Sequence, residues 1–254
     1  MKKKYFTVEG DEYAIPCLSY EPEEGKAERV IIAFHGFGGD KESSEVERLA
    51  EIAADKNYAV ICFDFPCHGA SPVNEEYFTV DNCIADASRI YAFAKEKYFF
   101  DASGEGNIHF FATSFGAFVL ANMLKSGEFA GSKAVFRAPA VMMHETFEKV
   151  IANYTVAELA KGAVAECGFE RKMRLGYGFY ADLKDHSLED VFFSNPVLMI
   201  YGDRDDVVSP DHMGAFAGAR SNIRSKVICG ADHRFKNKGE LDLVVKYSVD
   251  FFEE

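Results

Sequence analysis

At 254 residues, with 48% hydrophobic and 27% charged side chains, the chain has the composition of a globular protein able to bury a large core. Its net charge of −13 argues against nucleic acid or an anionic membrane as partner, and an acidic surface of this kind serves solubility more often than it selects a cationic substrate. No run approaches a transmembrane helix, and Met1-Lys2-Lys3-Lys4 leads into Glu9, Asp11 and Glu12 where an export signal would have its apolar core. Six cysteines (Cys17, Cys62, Cys67, Cys83, Cys167, Cys229) lack C-x-x-C pairs and metal-ligand spacing, as expected of reduced thiols in a cytoplasmic protein.

In chain order, Tyr5 to Glu9 and Tyr13 to Tyr20 alternate as two antiparallel strands joined at Gly10-Asp11. The apolar run Arg29 to Phe34 reads as a central strand covered on both faces, and it ends in the glycine-rich His35-Gly36-Phe37-Gly38-Gly39. Glu42 to Lys56 is amphipathic. Tyr58 to Phe65 is a second buried strand leading to Pro66-Cys67-His68-Gly69, where His68 fits a structural hydrogen-bonding role as well as a functional one. Thr79 to Lys97 is a long helix, with Val80, Ile84, Ala87, Ile90, Tyr91 and Ala94 on its apolar face. Asn107 to Ala112 is the next strand, Phe115 to Lys125 a helix, and Lys133 to Ala140 a strand ended by proline.

The strand–helix rhythm then breaks. From about Val141 to Phe193 there is no convincing buried strand, and the stretch reads as a helical lid insertion. Its apolar residues, Met142, Met143, Phe147, Tyr154, Met173, Leu175, Tyr177, Phe179 and Tyr180, suit either plain packing or the wall of a pocket. The rhythm resumes with a strand from Pro196 to Tyr201, a helix from Asp211 to Ala219, a strand from Lys226 to Cys229 and a closing helix from Glu240 to Phe252. The expected architecture is a single α/β domain, residues 1–254, with a mostly parallel sheet and helices on both faces.

Ligands of such a sheet sit at the carboxyl ends of its strands, and the suspicious loops all fall there. Ser114 lies between Ala112 and Gly116 at an abrupt strand-to-helix junction, a pattern shared by an ordinary N-cap serine and by a strained nucleophile turn. Asp205 and His233 follow, each just beyond a later strand. A serine hydroxyl needs an imidazole to take its proton, and the imidazole needs a carboxylate to fix its tautomer.

On these residues the chain resembles the α/β-hydrolases, whose triad runs Ser, acid, His along the sequence. The resemblance extends from His35-Gly36 to Asp232-His233 and implies Ser114 as nucleophile, Asp205 as acid and His233 as base. The family's Gly-x-x-Asp-x-x-Val register matches Gly202, Asp205 and Val208, leaving Asp203 as the second choice of acid. By the same resemblance, the backbone N–H groups of Phe37 and Phe115 form the oxyanion hole. No metal or organic cofactor is implied, and the partner is a small-molecule ester. The oligomeric state is left open, a homodimer included. Ala112 departs from the family's first glycine while keeping small size. The insertion after Ala138-Pro139-Ala140 and the Gly230-to-Phe235 ending are similar to bacterial feruloyl and cinnamoyl esterases; serine aminopeptidase-like and acylglycerol lipase-like hydrolases share many of these features. A peptidase could use the lid acids Glu166, Glu170 and Asp182 to hold a free amino terminus. Thioesterase activity and a non-catalytic binding scaffold complete the alternatives.

Overall fold

The computed structural model describes residues 1–24, 26–98, 107–151, 153–168 and 171–254. Apolar runs set its centre. β3 (Arg29–Phe34) and β4 (Tyr58–Phe63) pair in parallel through α1 (Ser44–Ala54), and β5 (Ile108–Thr113) lies on the other side of β3. Along β3 the side chains alternate by the period-two rule. Val30, Ile32 and Phe34 enter the core under α2 (Val80–Tyr98) and α3 (Phe115–Leu124), while Ile31 and Ala33 enter the core under α1 and α8 (Glu240–Glu253). Each face therefore carries its own layer of helices.

β6 (Ala134–Arg137), β9 (Val197–Gly202) and β10 (Ile223–Ile228) extend the parallel sheet beyond β5, with α7 (Pro210–Gly218) between the last two. β1 (Lys2–Glu9) and β2 (Ala14–Glu21) form the expected hairpin and join the other edge antiparallel to β4. Among the described residues the sheet has eight strands in the order β1-β2-β4-β3-β5-β6-β9-β10. No helix among them is long and apolar enough to cross a membrane.

Three expectations need correction. The 141–193 stretch is not purely helical: beside α4 (Met143–Val150), α5 (Val156–Leu159) and α6 (Tyr177–Asp185) it carries an antiparallel ribbon of β7 (Ala165–Cys167) and β8 (Met173–Leu175). Three alternating residues per strand are too few for periodicity to register. β10 starts at Ile223, not Lys226, because it is an edge strand whose Arg224 to Val227 stay exposed and give no apolar signal. β4 stops at Phe63, where Asp64 leaves the ladder to organise a loop. Its carboxylate accepts from Lys41 N–H (2.8 Å), Ala70 N–H (2.8 Å) and Lys41 Nζ (2.7 Å).

One buried group makes stability pH-dependent. Asp86 on α2 is 4% exposed and accepts a 2.9 Å hydrogen bond from Tyr13 Oη. Burial pushes its carboxyl up from 3.8 to about 7, against the opposing pull of the Tyr13 hydrogen bond. A raised carboxyl favours the protonated fold, so stability falls as pH rises from about 4 to 7. Asp86→Asn keeps an acceptor for Tyr13 and should be more stable than wild type at pH 8, by roughly 2–4 kcal/mol, with the gap closing towards pH 4. Thermal unfolding across that range checks this; a gap independent of pH would contradict it.

Candidate active site

β5 ends at Thr113 and α3 begins at Phe115, which leaves Ser114 to make the whole turn. Its backbone sits at φ 50°, ψ −109°, a region that costs a non-glycine residue about 1–3 kcal/mol. Neighbouring backbone over-determines it. Ser114 N–H donates to Arg137 O (2.9 Å), and Ser114 O accepts from the N–H groups of Ala117 (3.1 Å), Ala140 (3.2 Å) and Phe118 (3.3 Å). The hydroxyl caps nothing in α3, so the N-cap reading does not describe it, and Ser114 lines a cavity of about 540 Å³. A Cβ on Gly116 would stand 2.6 Å from His35 O and 2.7 Å from Phe34 O. Glycine there lets the start of α3 close against the end of β3. Ala112 is fully buried between Phe34 and Phe136 of the adjacent strands, so its methyl is absorbed by the sheet core.

The parallel pairing of β9 with β10 brings the two later loops together. Gly202 passes so close to the His233 loop that a Cβ would lie 2.1 Å from Ala231 O, and Arg204 N–H donates to that same carbonyl (3.1 Å). His233 Nδ1 then meets Asp205 Oδ2 at 2.7 Å, while Asp205 Oδ1 accepts from Val207 N–H (2.9 Å) and Val208 N–H (2.8 Å). Three hydrogen bonds on a carboxylate with no exposed side-chain surface fix it as an acceptor for His233. His233 lines the Ser114 cavity. Asp203, the second choice of acid, is exposed and accepts from Gly230 N–H (2.6 Å), which makes it a loop fastener.

Phe37 and Phe115 flank the elbow at the end of β3 and the start of α3. Neither backbone N–H has an acceptor among the described residues, whereas the next two amides of the β3 loop are spent: Gly38 N–H on His68 Nε2 (3.1 Å) and Gly39 N–H on Gly36 O (3.0 Å). His68 is thereby a structural clamp. Its Nδ1–H donates to Pro66 O (2.9 Å), a carbonyl that can only accept, so Nε2 is the acceptor for Gly38. His35 does the same between Gly36 O (2.8 Å) and Phe65 N–H (3.1 Å). Burial lowers these imidazoles to about 4 (His35) and about 3 (His68), which keeps both neutral. The Cys67 thiol is buried and shifted upward by burial, away from the thiolate a nucleophile needs.

The cavity wall combines Phe37, Met143, Val150 and Val207 with the polar Thr146, Arg137 and Lys149. Lys149 Nζ donates to Val207 O (2.8 Å), tying α4 to the Asp205 loop, and Arg171 Nη1 and Nη2 donate to Ser71 O (2.6 Å) and Val73 O (2.7 Å), tying the β7–β8 turn to the loop beyond β4. Phe147 and Phe179 pack inward on Phe37 and each other, and Tyr177 faces solvent. The packing reading applies to Phe147 and Phe179, and the pocket-wall reading to Met143. Of the three acids of the 141–193 stretch weighed for an amino terminus, Glu166 lines the cavity, Asp182 accepts from Val80 N–H at the start of α2 (2.8 Å), and Glu170 lies outside the described residues. Sequence reasoning missed Arg137; a lone charge ending the apolar run Ala134-Val135-Phe136 was the available signal.

The model of the alpha/beta hydrolase family matches residues 30–235, and the chain belongs to that family. No curated protein matches it by sequence. Among solved structures, it is similar to Est1E from Butyrivibrio proteoclasticus, at 17% identity and TM-score 0.79 over 98% of this chain and 97% of that one. The structure of ferulic acid bound to Est1E is similar at 19% identity and TM-score 0.83, covering 98% of each chain. An alpha-beta serine hydrolase homologue from Coxiella burnetii follows at 19% and 0.68, over 99% and 98%. At these identities the likeness is one of fold.

Proposed function

We propose that this chain is a serine hydrolase acting on carboxylic esters, with Ser114, His233 and Asp205 as its triad. The observation that carries this is the Asp205–His233 contact of 2.7 Å, with His233 on the wall of the cavity that the positive-φ Ser114 also lines. In the proposed reaction His233 Nε2 takes the hydroxyl proton as Ser114 Oγ bonds the acyl carbon. The oxyanion is received by Phe37 N–H and Phe115 N–H, a contribution of about 3–4 kcal/mol per donor in comparable sites. His233 passes the proton to the departing alcohol oxygen, leaving an acyl-enzyme. Water gives its proton to the same nitrogen as it adds to the acyl carbon, and collapse restores Ser114 Oγ–H and releases the acid. His233 keeps its Nδ1 proton throughout, donating it in a hydrogen bond to an unprotonated Asp205. The 141–193 stretch serves as a lid.

A hydroxycinnamoyl acyl group is supported by the likeness to Est1E holding ferulic acid, with Phe37 and Met143 on the wall to receive a ring. A panel on purified protein tests both levels: methyl ferulate, p-nitrophenyl esters of increasing length, an acyl-CoA and aminoacyl arylamides. Ester turnover above the other classes is expected. Preference for arylamides or the thioester would reassign the substrate, and no turnover together with no fluorophosphonate labelling would leave a binding scaffold.

A further inference from the structure

Arg137 ends β6 one residue from the sharp turn at Ala138, and its side chain is only 8% exposed, on the wall of the Ser114 cavity. Its backbone is already tied to the nucleophile through the Ser114 N–H bond to its carbonyl. The guanidinium stacks on the Phe235 ring at 4.6 Å, which fixes its plane. Nε lies 2.9 Å from Glu45 Oε1, yet that pair is not aligned for a hydrogen bond, and Glu45 takes its hydrogen bond from Thr113 Oγ1 at 3.0 Å. No guanidinium nitrogen of Arg137 has a hydrogen-bond acceptor among the described residues.

None of the five guanidinium donors is engaged, and Nε is cut off from solvent as well, a costly state unless something else supplies acceptors. Glu45 balances its charge but leaves the donors open. The cavity wall also carries Lys149 and Arg234, against Glu166 and Asp206. The planar fork of arginine matches a carboxylate in two parallel hydrogen bonds.

We propose that Arg137 receives a free carboxylate of the substrate, so that the preferred ester carries an anionic group within a few carbons of the scissile carbonyl. This rests on the esterase reading for turnover but not for binding. The measurement compares monoethyl glutarate with ethyl valerate, matched in length and alcohol, by proton release in wild type and in Glu45→Gln/Arg137→Gln. The double change removes both buried charges together. Wild type is expected to favour the anionic ester by about tenfold or more in kcat/KM, the size of one charge-assisted contact, and the double variant to lose that ratio. Arg137→Lys, which keeps the charge but loses the fork, serves if the double variant does not fold and should lose most of the ratio.

Binding is read separately, by the thermal shift that glutarate produces relative to valeramide, which carries no carboxylate. A glutarate-specific shift that the variants lack, without turnover of either ester, would keep the carboxylate site and remove the esterase reading. Equal treatment of the two esters with no glutarate-specific shift would overturn the site and mean that water fills the donors. A preference that survives in the variants would overturn Arg137 as its source.

Discussion

Ser114→Ala should lose ester turnover by about 10⁴-fold or more, together with all labelling by a fluorophosphonate. Stability should hardly change. The hydroxyl caps no amide of α3, so removing it frees no partner, and alanine meets the same positive φ that serine already tolerates. The pairing of these outcomes matters. A variant that loses activity and also melts early would point to damage at the elbow, while retained turnover would place the nucleophile elsewhere. Equal thermal unfolding with activity gone is the expected result.

Asp205→Asn should cost about 10³–10⁴ in kcat with much less change in KM. The carboxylate makes three hydrogen bonds, and two of them, from Val207 and Val208, come from amides that asparagine's oxygen can still satisfy. What asparagine cannot do is accept at both ends. Its NH2 group would face His233 Nδ1 and favour the tautomer in which that nitrogen is bare and Nε2 carries the proton. The base would then be occupied before catalysis starts. Asp203→Asn is the internal control: Asp203 holds Gly230 N–H at 2.6 Å, so its loss should cost less than about tenfold. Steady-state kinetics on the two variants side by side decides between the neighbouring carboxylates; a larger effect at Asp203 would reverse the assignment.

Much of the fold was legible because its centre is written in runs. β3, β4, β5 and β9 are buried on both faces, and a strand with no polar face announces itself without reference to any neighbour. The candidate Ser, Asp and His were legible for a related reason. Ser114 and Asp205 each stand just past such a strand, and His233 just past the edge strand β10, where a parallel sheet delivers its loops to one edge. The weaker elements were hidden by their surroundings. β10 is an edge strand that only its pairing with β9 defines, and β7 and β8 are too short to carry a pattern of their own.

By itself, then, the sequence determined the order of the central strands and their helices, the edge of the sheet that carries the candidate site and the residues offered there, since local hydrophobic period and small-residue spacing are properties of consecutive positions. Tertiary structure decided which groups meet. Asp205 rather than Asp203 faces His233, His68 spends its ring on Gly38, and Phe147 and Phe179 pack inward on Phe37 instead of lining the cavity. Arg137 reaches Glu45, ninety-two positions earlier in the chain, only because β6 and α1 are packed at the same end of the sheet. Those pairings depend on distances between segments far apart in sequence, and burial then sets the value of each hydrogen bond.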